Sequence, residues 1–525
     1  MTKTLPFVSM VLPEPDRRVF LEEIRPQVSP ENYQRIESMV ETFPHLLRLL
    51  DEEGMSISRF RRMVFGARTE KTQTVCPPPG PPLTDSPKPK PKGHGRNGVE
   101  AYTGAGRIAV AHPTLKPGDP CPECQQGTLS QAKPAVAMQI TAQPPISALI
   151  HELGRLRCNL CGKTHTAPAP PEAGTQKYDS SVGVLISVLR YGSGMPFYRL
   201  ERLQRSLGVP LPASTQWELV DEVAQAAQPA FNQLIFEAAQ APSLYNDDTT
   251  MRVAQLRQQI KTEVEPERTG IFTTGIVASA QDHPIALFFT GRRHAGENLD
   301  ELLRHRQAGL PAPLQMCDGL KRNEPKQFAT LLGNCLIHAR REFVEVAPNF
   351  PEECRLVIES LRDVYRLDAQ AKEEGLSPEQ RLQFHQTHSE PVMDKLHVWL
   401  GEQIGQKKVE PNSGLGKAIN YMLKRWKQLT LFLRQAGAPL DNNVTERALK
   451  MAILHRKNSM GYKTQHGAQV GDLFMSLIHT CRLGGINPFD YLGALVKNAS
   501  EVIAHPAHWL PWNFQETLVA TKNTT

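Results

Sequence analysis

The sequence predicts a multidomain α+β protein, and three observations carry that reading. At 525 residues the chain is too long for one compact core. Eight prolines interleaved with lysines between Cys76 and Lys92 form a polyproline-like spacer, which sets a domain boundary. Past residue 243 the helical periodicity gives way to short apolar runs and later returns.

Composition narrows the class. Hydrophobic and charged fractions of 40% and 22% are those of a soluble globular protein. No apolar run reaches the length of about 18 residues that a membrane helix needs. The N-terminus lacks the basic-then-apolar layout of a signal peptide, so the cytoplasm is the expected compartment, at the nucleoid if the partner is DNA. Net charge is +6. From Met55 to Gly98 there are nine Lys or Arg against Glu70 and Asp85 alone, an arm suited to phosphate, although a solvated linker has the same composition. Nine cysteines, an odd count, argue against a disulfide framework.

Residues 1–75 are expected to be helical. Ile36, Met39, Val40, Phe43, Leu46, Leu47 and Leu50 keep a helical rhythm, Gly54 interrupts it, and a basic helix follows from Ser56 to Phe65. Residues 76–98 form the Pro/Lys-rich basic linker. Residues 99–172 hold Cys121/Cys124 and Cys158/Cys161, two CxxC pairs separated by 33 residues. Such pairs complete a closed tetrahedral Zn–S₄ site, so one structural Zn²⁺ in a ribbon is expected. Residues 173–240 read as helical, with Tyr198–Leu207 and Ser214–Ala227 joined by Gly208-Val-Pro-Leu-Pro-Ala213. That arrangement fits a helix-turn-helix and a plain helical hairpin equally well.

Residues 241–339 read as the first part of a core. Ser243–Asn246 is expected to be a strand ending at Asp247, and Gly270–Ala280 with Pro284–Thr290 a hairpin. Glu297–Gln307 reads as a helix and Pro313–Cys317 as a strand ending at Asp318. Phe328–Leu332 then reads as a helix and Asn334–Ile337 as a strand. Residues 340–435 read as a helical insertion, 436–485 as the last part of the core with the helix holding Glu446, and 486–525 as a C-terminal segment. The order β, β, β, α, β, α, β is that of an RNase H-like α/β core.

Three acids in that core, Asp247, Asp318 and Glu446, sit on a strand, a strand and a helix. Hard divalent cations want carboxylate oxygens, and two Mg²⁺ (or Mn²⁺) held by such a trio can activate one oxygen and stabilise another in phosphodiester chemistry. Each acid also has a plain structural reading. Asp247 and Asp318 fit strand-end turn formers, and Glu446 fits the third position of a capping box opened by Asn443 or a surface pair with Lys450. Strand alternation places Asp247 and Asp248 on opposite faces, and spacing does not choose between them. Cys335-Leu-Ile-His338 could be a metal half-site, but without a second pair it reads as core packing at a strand end. Arg340, Arg341, Arg456 and Lys457 put positive charge near the acids, where a phosphate would need it.

Several longer motifs add to this. They are Arg62-Met-Val-Phe-Gly-Ala-Arg-Thr-Glu-Lys71, Lys92-Gly-His-Gly-Arg96 with the paired CxxC, Asp247-Asp-Thr249 and Cys317-Asp-Gly319. They continue with Cys335-x-x-His-Ala-Arg-Arg-x-Phe343, Asp441-Asn-Asn-x-x-Glu-Arg-Ala448 and Arg456-Lys-Asn458. Together they resemble transposases of the insertion sequence 66 family over most of the chain. The resemblance implies Asp247 over Asp248 as first catalytic acid, with Asp318 and Glu446 completing a DDE set that hydrolyses a strand at the element's end and passes its 3′-hydroxyl to target DNA. Candidate DNA contacts are then Arg61, Arg62, Arg68, Lys71 and Arg96 in the arm, and Arg340, Arg341, Arg447, Arg456 and Lys457 around the acids. A homo-oligomer on DNA and small accessory proteins from the same element are implied partners. The chain departs from the family at Gly54, which breaks the N-terminal heptads, and at Asp248, where Glu is usual. An RNase H-like nuclease or resolvase without strand transfer and a domesticated, non-catalytic DNA-binding protein are the rival readings.

Overall fold

The structure is a computed structural model that describes residues 14–38, 40, 72–75, 100, 108–132, 135, 145–157, 159, 163–174, 176–265, 268–280 and 283–524. The helix expected over Ser56–Phe65, the Pro/Lys-rich linker, and Arg61, Arg62, Arg68, Lys71, Arg96, Cys158 and Cys161 lie outside the described residues. No described helix is long and apolar enough to cross a membrane.

The chain is mixed α+β and divides into two compact units. One joins residues 1–78 to 344–359. It contains α1 (Glu14–Ile24), with Leu21 buried, followed by a 3-10 turn at Arg25–Gln27. The other comprises residues 79–343 and 360–525 and carries the sheets.

Within the second unit, β1 (Arg155–Arg157) and β2 (Thr164–Thr166) pair antiparallel, with Leu156 opposite His165. Both strands are exposed throughout, so this hairpin buries no apolar face of its own and needs another source of stability. Three helices follow: α2 (Ser180–Ser187), α3 (Phe197–Ser206) and α4 (Ala213–Gln240). The second helix of the expected pair does not stop at Ala227; α4 continues through Pro229. Val220, Val223, Ala227, Ala230, Leu234 and Ala238 recur at helical spacing and are buried in the main core. That burial outweighs the roughly 3 kcal/mol cost of an interior proline.

The main sheet has five strands in the order β5-β4-β3-β6-β7. They are β3 (Ser243–Thr250), β4 (Phe272–Ala280), β5 (His283–Gly291), β6 (Leu314–Cys317) and β7 (Leu331–Asn334). β4 runs antiparallel to both its neighbours, while β3, β6 and β7 are parallel. Between β3 and β4 lies α5 (Ala254–Thr262), a helix not foreseen from the sequence; α6 (Ala295–Leu303) precedes β6.

Two expectations shift. The strand at Asp247 does not end there: Thr249 and Thr250, both β-branched, continue it against Thr273 and Phe272. The helix expected at Phe328–Leu332 and the strand at Asn334–Ile337 are displaced by one element. Leu331–Asn334 is the strand, paired with β6, and α7 (Leu336–Val346) begins directly after Cys335. Beyond it the chain is helical as expected, through α8 (Pro351–Glu373), α9 (Pro378–His388), α10 (Glu390–Gly405) and α11 (Gly414–Lys424). The last core helices are α12 (Asn443–Ser459) and α13 (Gln465–Leu483).

α13 closes the β5 edge of the sheet. The backbone N–H groups of Ala286, Phe288 and Thr290 donate to Thr480 Oγ1 (3.0 Å), Ser476 Oγ (2.9 Å) and Asp472 Oδ2 (2.6 Å). Every second strand residue advances about 6.7 Å and every fourth helix residue about 6 Å, so the two periodicities stay in step over three contacts. An edge that would otherwise offer unpaired donors to another strand is thereby satisfied. Burial pushes the Asp472 carboxyl up to about 7, against the two bonds from Thr290.

Candidate active site

Strand register brings the first two acids together. Tyr245 of β3 is aligned with Met316 of β6 in a parallel pair, so two residues on, Asp247 lies alongside Asp318. Neighbouring strands are about 4.8 Å apart. The Asn323 amide, in a 3-10 turn just past β6, spans the gap: its Nδ2 donates to Asp318 Oδ1 at 2.6 Å and to Asp247 Oδ1 at 3.3 Å. The two carboxylate oxygens are therefore no further apart than those two bonds laid end to end.

The third acid arrives on α12, which packs on β3 and β4. Gly275 of β4 is paired with Asp247, and a Cβ there would lie 3.0 Å from Leu449 Cδ2 and 3.5 Å from Thr445 Cγ2. The missing side chain lets α12 come down beside Asp247. Asn442 fixes the start of the helix, its Nδ2 donating to the Asn246 carbonyl at 3.0 Å. Helical residues begin at Asn443, with Asn442 as N-cap and no side-chain cap bond, so the capping-box reading of Glu446 does not hold. Its carboxylate faces α7 instead, with Oε1 3.7 Å from His338 Nε2 and Oε2 3.6 Å from Arg341 Nη2.

Electrostatics register the convergence. The Asp247 carboxyl is pushed up to about 7, first by burial, then by the charge of Asp318, with smaller contributions from Asp248 and Glu446; the Asp248 N–H, donating at 2.8 Å, works the other way. Asp318 is also raised by burial, against the Leu320 N–H, His338, Asn323 and Arg322. Asp248 points to the opposite face, where its almost fully buried carboxylate meets His294 Nδ1 (2.9 Å) and Arg322 Nη2 (3.4 Å). Several buried polar atoms here have no hydrogen-bond partner among the described residues: Asn323 Oδ1, Asn442 Oδ1, Thr445 Oγ1, Glu446 Oε1 and His338 Nδ1. Buried groups of this kind are normally satisfied by protein or by ordered water.

Several residues around the acids gave no sequence signal. A buried amide lattice backs Asn323: Asn246 Nδ2 (2.7 Å) and Gln315 Nε2 (2.8 Å) both donate to its carbonyl. Arg425, just past α11, donates from Nε (3.1 Å) and Nη2 (2.9 Å) to the Gly319 carbonyl. A Cβ on Gly319 would overlap that guanidinium, so glycine after Asp318 is explained by close approach and not by turn geometry alone. Of the basic candidates, Arg341 faces Glu446 and Arg340 is its neighbour on α7. Arg447 and Lys457 are exposed on α12. Arg456 is engaged with the end of β3, bonding Thr250 Oγ1 at 2.6 Å as well as the Thr250 carbonyl.

At the first CxxC pair the chain folds into a tight knuckle. Cys121 N–H donates to the Gly127 carbonyl (2.7 Å), Gln125 N–H to the Cys121 carbonyl (2.8 Å), and Gln125 takes a positive φ of 55°. The N–H groups of Gln126 and Gly127, then the Cys121 side chain, hold the exposed Cys124 thiol below its ordinary value.

A family model described as "Transposase IS66 family" matches residues 177–470, more than half of the chain. The chain belongs to that family. All three acids lie inside the matched region of this transposase, and both CxxC pairs lie before it. Similar relatives come from Sinorhizobium fredii and are described as uncharacterized. Protein y4hP is 27% identical over 79% of this chain and 76% of its own length. Protein y4jD is 25% identical over 92% and 98%.

Proposed function

We propose that this transposase cuts DNA at the ends of its element and joins the freed 3′-hydroxyl to target DNA by a DDE reaction, with Asp247, Asp318 and Glu446 holding two Mg²⁺ or Mn²⁺ ions. The observation that carries the reading is the single Asn323 amide reaching both Asp247 and Asp318. Two carboxylates held this close, both with raised pKa, are poised for a shared cation. Glu446 Oε1, which has no hydrogen-bond partner among the described residues, adds a further hard oxygen, and such a donor set suits Mg²⁺. When bound, the ions would activate the attacking oxygen and stabilise the leaving one.

The chain's own residues orient that chemistry. Asn323, backed by Asn246 and Gln315, sets the separation of the two aspartates, and Gly275 sets the approach of Glu446. Arg341 places positive charge beside Glu446, where a scissile phosphate would sit. An RNase H-like core is supported by the strand order, with β4 alone running against the other four strands. A structural Zn²⁺ on Cys121, Cys124, Cys158 and Cys161 is supported by the knuckle at the first pair and by β1 and β2, which flank the second. The arm residues Arg61, Arg62, Arg68, Lys71 and Arg96, with Arg340, Arg447 and Lys457, would contact DNA phosphates, in a homo-oligomer formed on the DNA.

The test is a labelled element end incubated with Mg²⁺ and target DNA. Nicked and then joined products are expected, and Asp247→Asn, Asp318→Asn and Glu446→Gln should each abolish both. Nicking without joining would indicate a nuclease or resolvase instead. Full activity in Asp247→Asn would sink the assignment of the acids.

A further inference from the structure

A thiol, an imidazole and a carboxylate meet at the start of α7. Cys335, His338 and Glu446 each offer a ligand atom, and these atoms all lie within 4.8 Å of one another. Cys335 follows β7 directly and His338 is three residues further, so the first turn of α7 presents both on one side. The sulfur sits among backbone donors: Asn442 N–H reaches Sγ at 3.4 Å, and the N–H groups of His338 and Ile337 also bond it. Donors clustered at a helix N-terminus stabilise a thiolate. Glu446 Oε1 and His338 Nδ1 are buried without hydrogen-bond partners among the described residues. The two-metal reading uses neither Cys335 nor His338 as a ligand.

We propose that Cys335, His338 and Glu446 form a separate site for a thiophilic divalent cation of the Zn²⁺ class, which shares Glu446 with the Mg²⁺ site. Sulfur and imidazole discriminate against Mg²⁺ and select Zn²⁺ or its soft analogues. Bond lengths of about 2.0–2.3 Å set tetrahedral ligand–ligand edges of roughly 3.3–3.7 Å, so side-chain rotations of about 1 Å close the observed set. A bound cation takes sulfur as thiolate, so its arrival displaces the Cys335 thiol proton to solvent. Only the consequence rests on the DDE reading: an ion held here takes Glu446 from the catalytic set, and Zn²⁺ then antagonises Mg²⁺-dependent cleavage.

Full-length protein loaded with a single equivalent of Zn²⁺, enough for its ribbon alone, is titrated with Co²⁺, and the sulfur-to-cobalt charge-transfer band is read. One further thiolate-bound Co²⁺ per chain is expected. The band should vanish in Cys335→Ser, and binding should weaken at least tenfold in His338→Gln and Glu446→Gln. His338 is partly exposed, so its variant keeps the test intact if the buried serine variant misfolds. No extra thiolate band in the wild type, or equal binding by His338→Gln or Glu446→Gln, overturns the site and leaves the Mg²⁺ reading untouched. Binding lost in all the variants upholds the site even where the strand-cleavage assay fails.

Discussion

Asp247→Asn should make the Mg²⁺-free protein more stable, and only toward neutral and alkaline pH. Burial and Asp318 raise the Asp247 carboxyl from 3.8 to about 7. The folded state therefore holds a proton that the unfolded chain gives up. Stability contributed by this group is full below the unfolded pKa, falls as pH rises through the window between about 3.8 and about 7, and stays lost above it. About three units at 1.36 kcal/mol each give a cost of about 4 kcal/mol above pH 7. Asparagine keeps the shape and an oxygen to accept the Asp248 and Asn323 bonds, but carries no charge. Variant and wild type should match near pH 4, and the variant should lead by up to about 4 kcal/mol near pH 8. Asp472 is raised in the same direction but is present in both proteins, so its contribution cancels in the difference. Urea unfolding in Mg²⁺-free buffer at the two pH values reads the effect. Saturating Mg²⁺ should then stabilise the wild type and not the variant. An offset that is the same at both pH values, or a variant weaker near pH 8, would refute the reasoning.

Three further outcomes follow from the same contacts. Gly275→Val should cost about 1–3 kcal/mol in urea unfolding and slow strand cleavage, because its side chain displaces Leu449 and lifts Glu446 away from Asp247. Asn323→Ala should raise the Mg²⁺ concentration for half-maximal cleavage by about 10–100-fold, since the carboxylates lose the group that spaces them. Ser476→Ala leaves the Phe288 N–H unpaired and should cost about 1–3 kcal/mol, measured by urea unfolding, with the Mg²⁺ dependence of cleavage unchanged.

Taken singly, each acid has an ordinary local explanation, and element order together with the family resemblance is what singled them out. Asp318 sits before a glycine after an apolar strand, and Glu446 sits in the first turn of a strongly patterned helix. Alternation put Asp247 and Asp248 on opposite faces, as the structure does, but did not choose between them. What was not legible depends on groups far apart in the chain. Arg425 covers Gly319 across 106 residues, and no local pattern in the insertion announces it. Asn323 looks like any loop asparagine until β3 and β6 are aligned. Leu331-Leu332 is an apolar pair readable as helix or strand, and only pairing with β6 decides it. α4 passes Pro229 for the same reason: burial of its far half is a tertiary fact. The capping-box alternative for Glu446 falls because the start of α12 is set by the Asn442–Asn246 bond, which sequence spacing does not contain.

The central claim is that Asp247, Asp318 and Glu446 hold divalent metal together. Anomalous diffraction from crystals of the protein soaked in Mn²⁺ tests it most directly. Manganese peaks bounded by these three carboxylates, and absent in Asp247→Asn crystals, are predicted. Manganese bound elsewhere while this cleft stays empty would contradict the account.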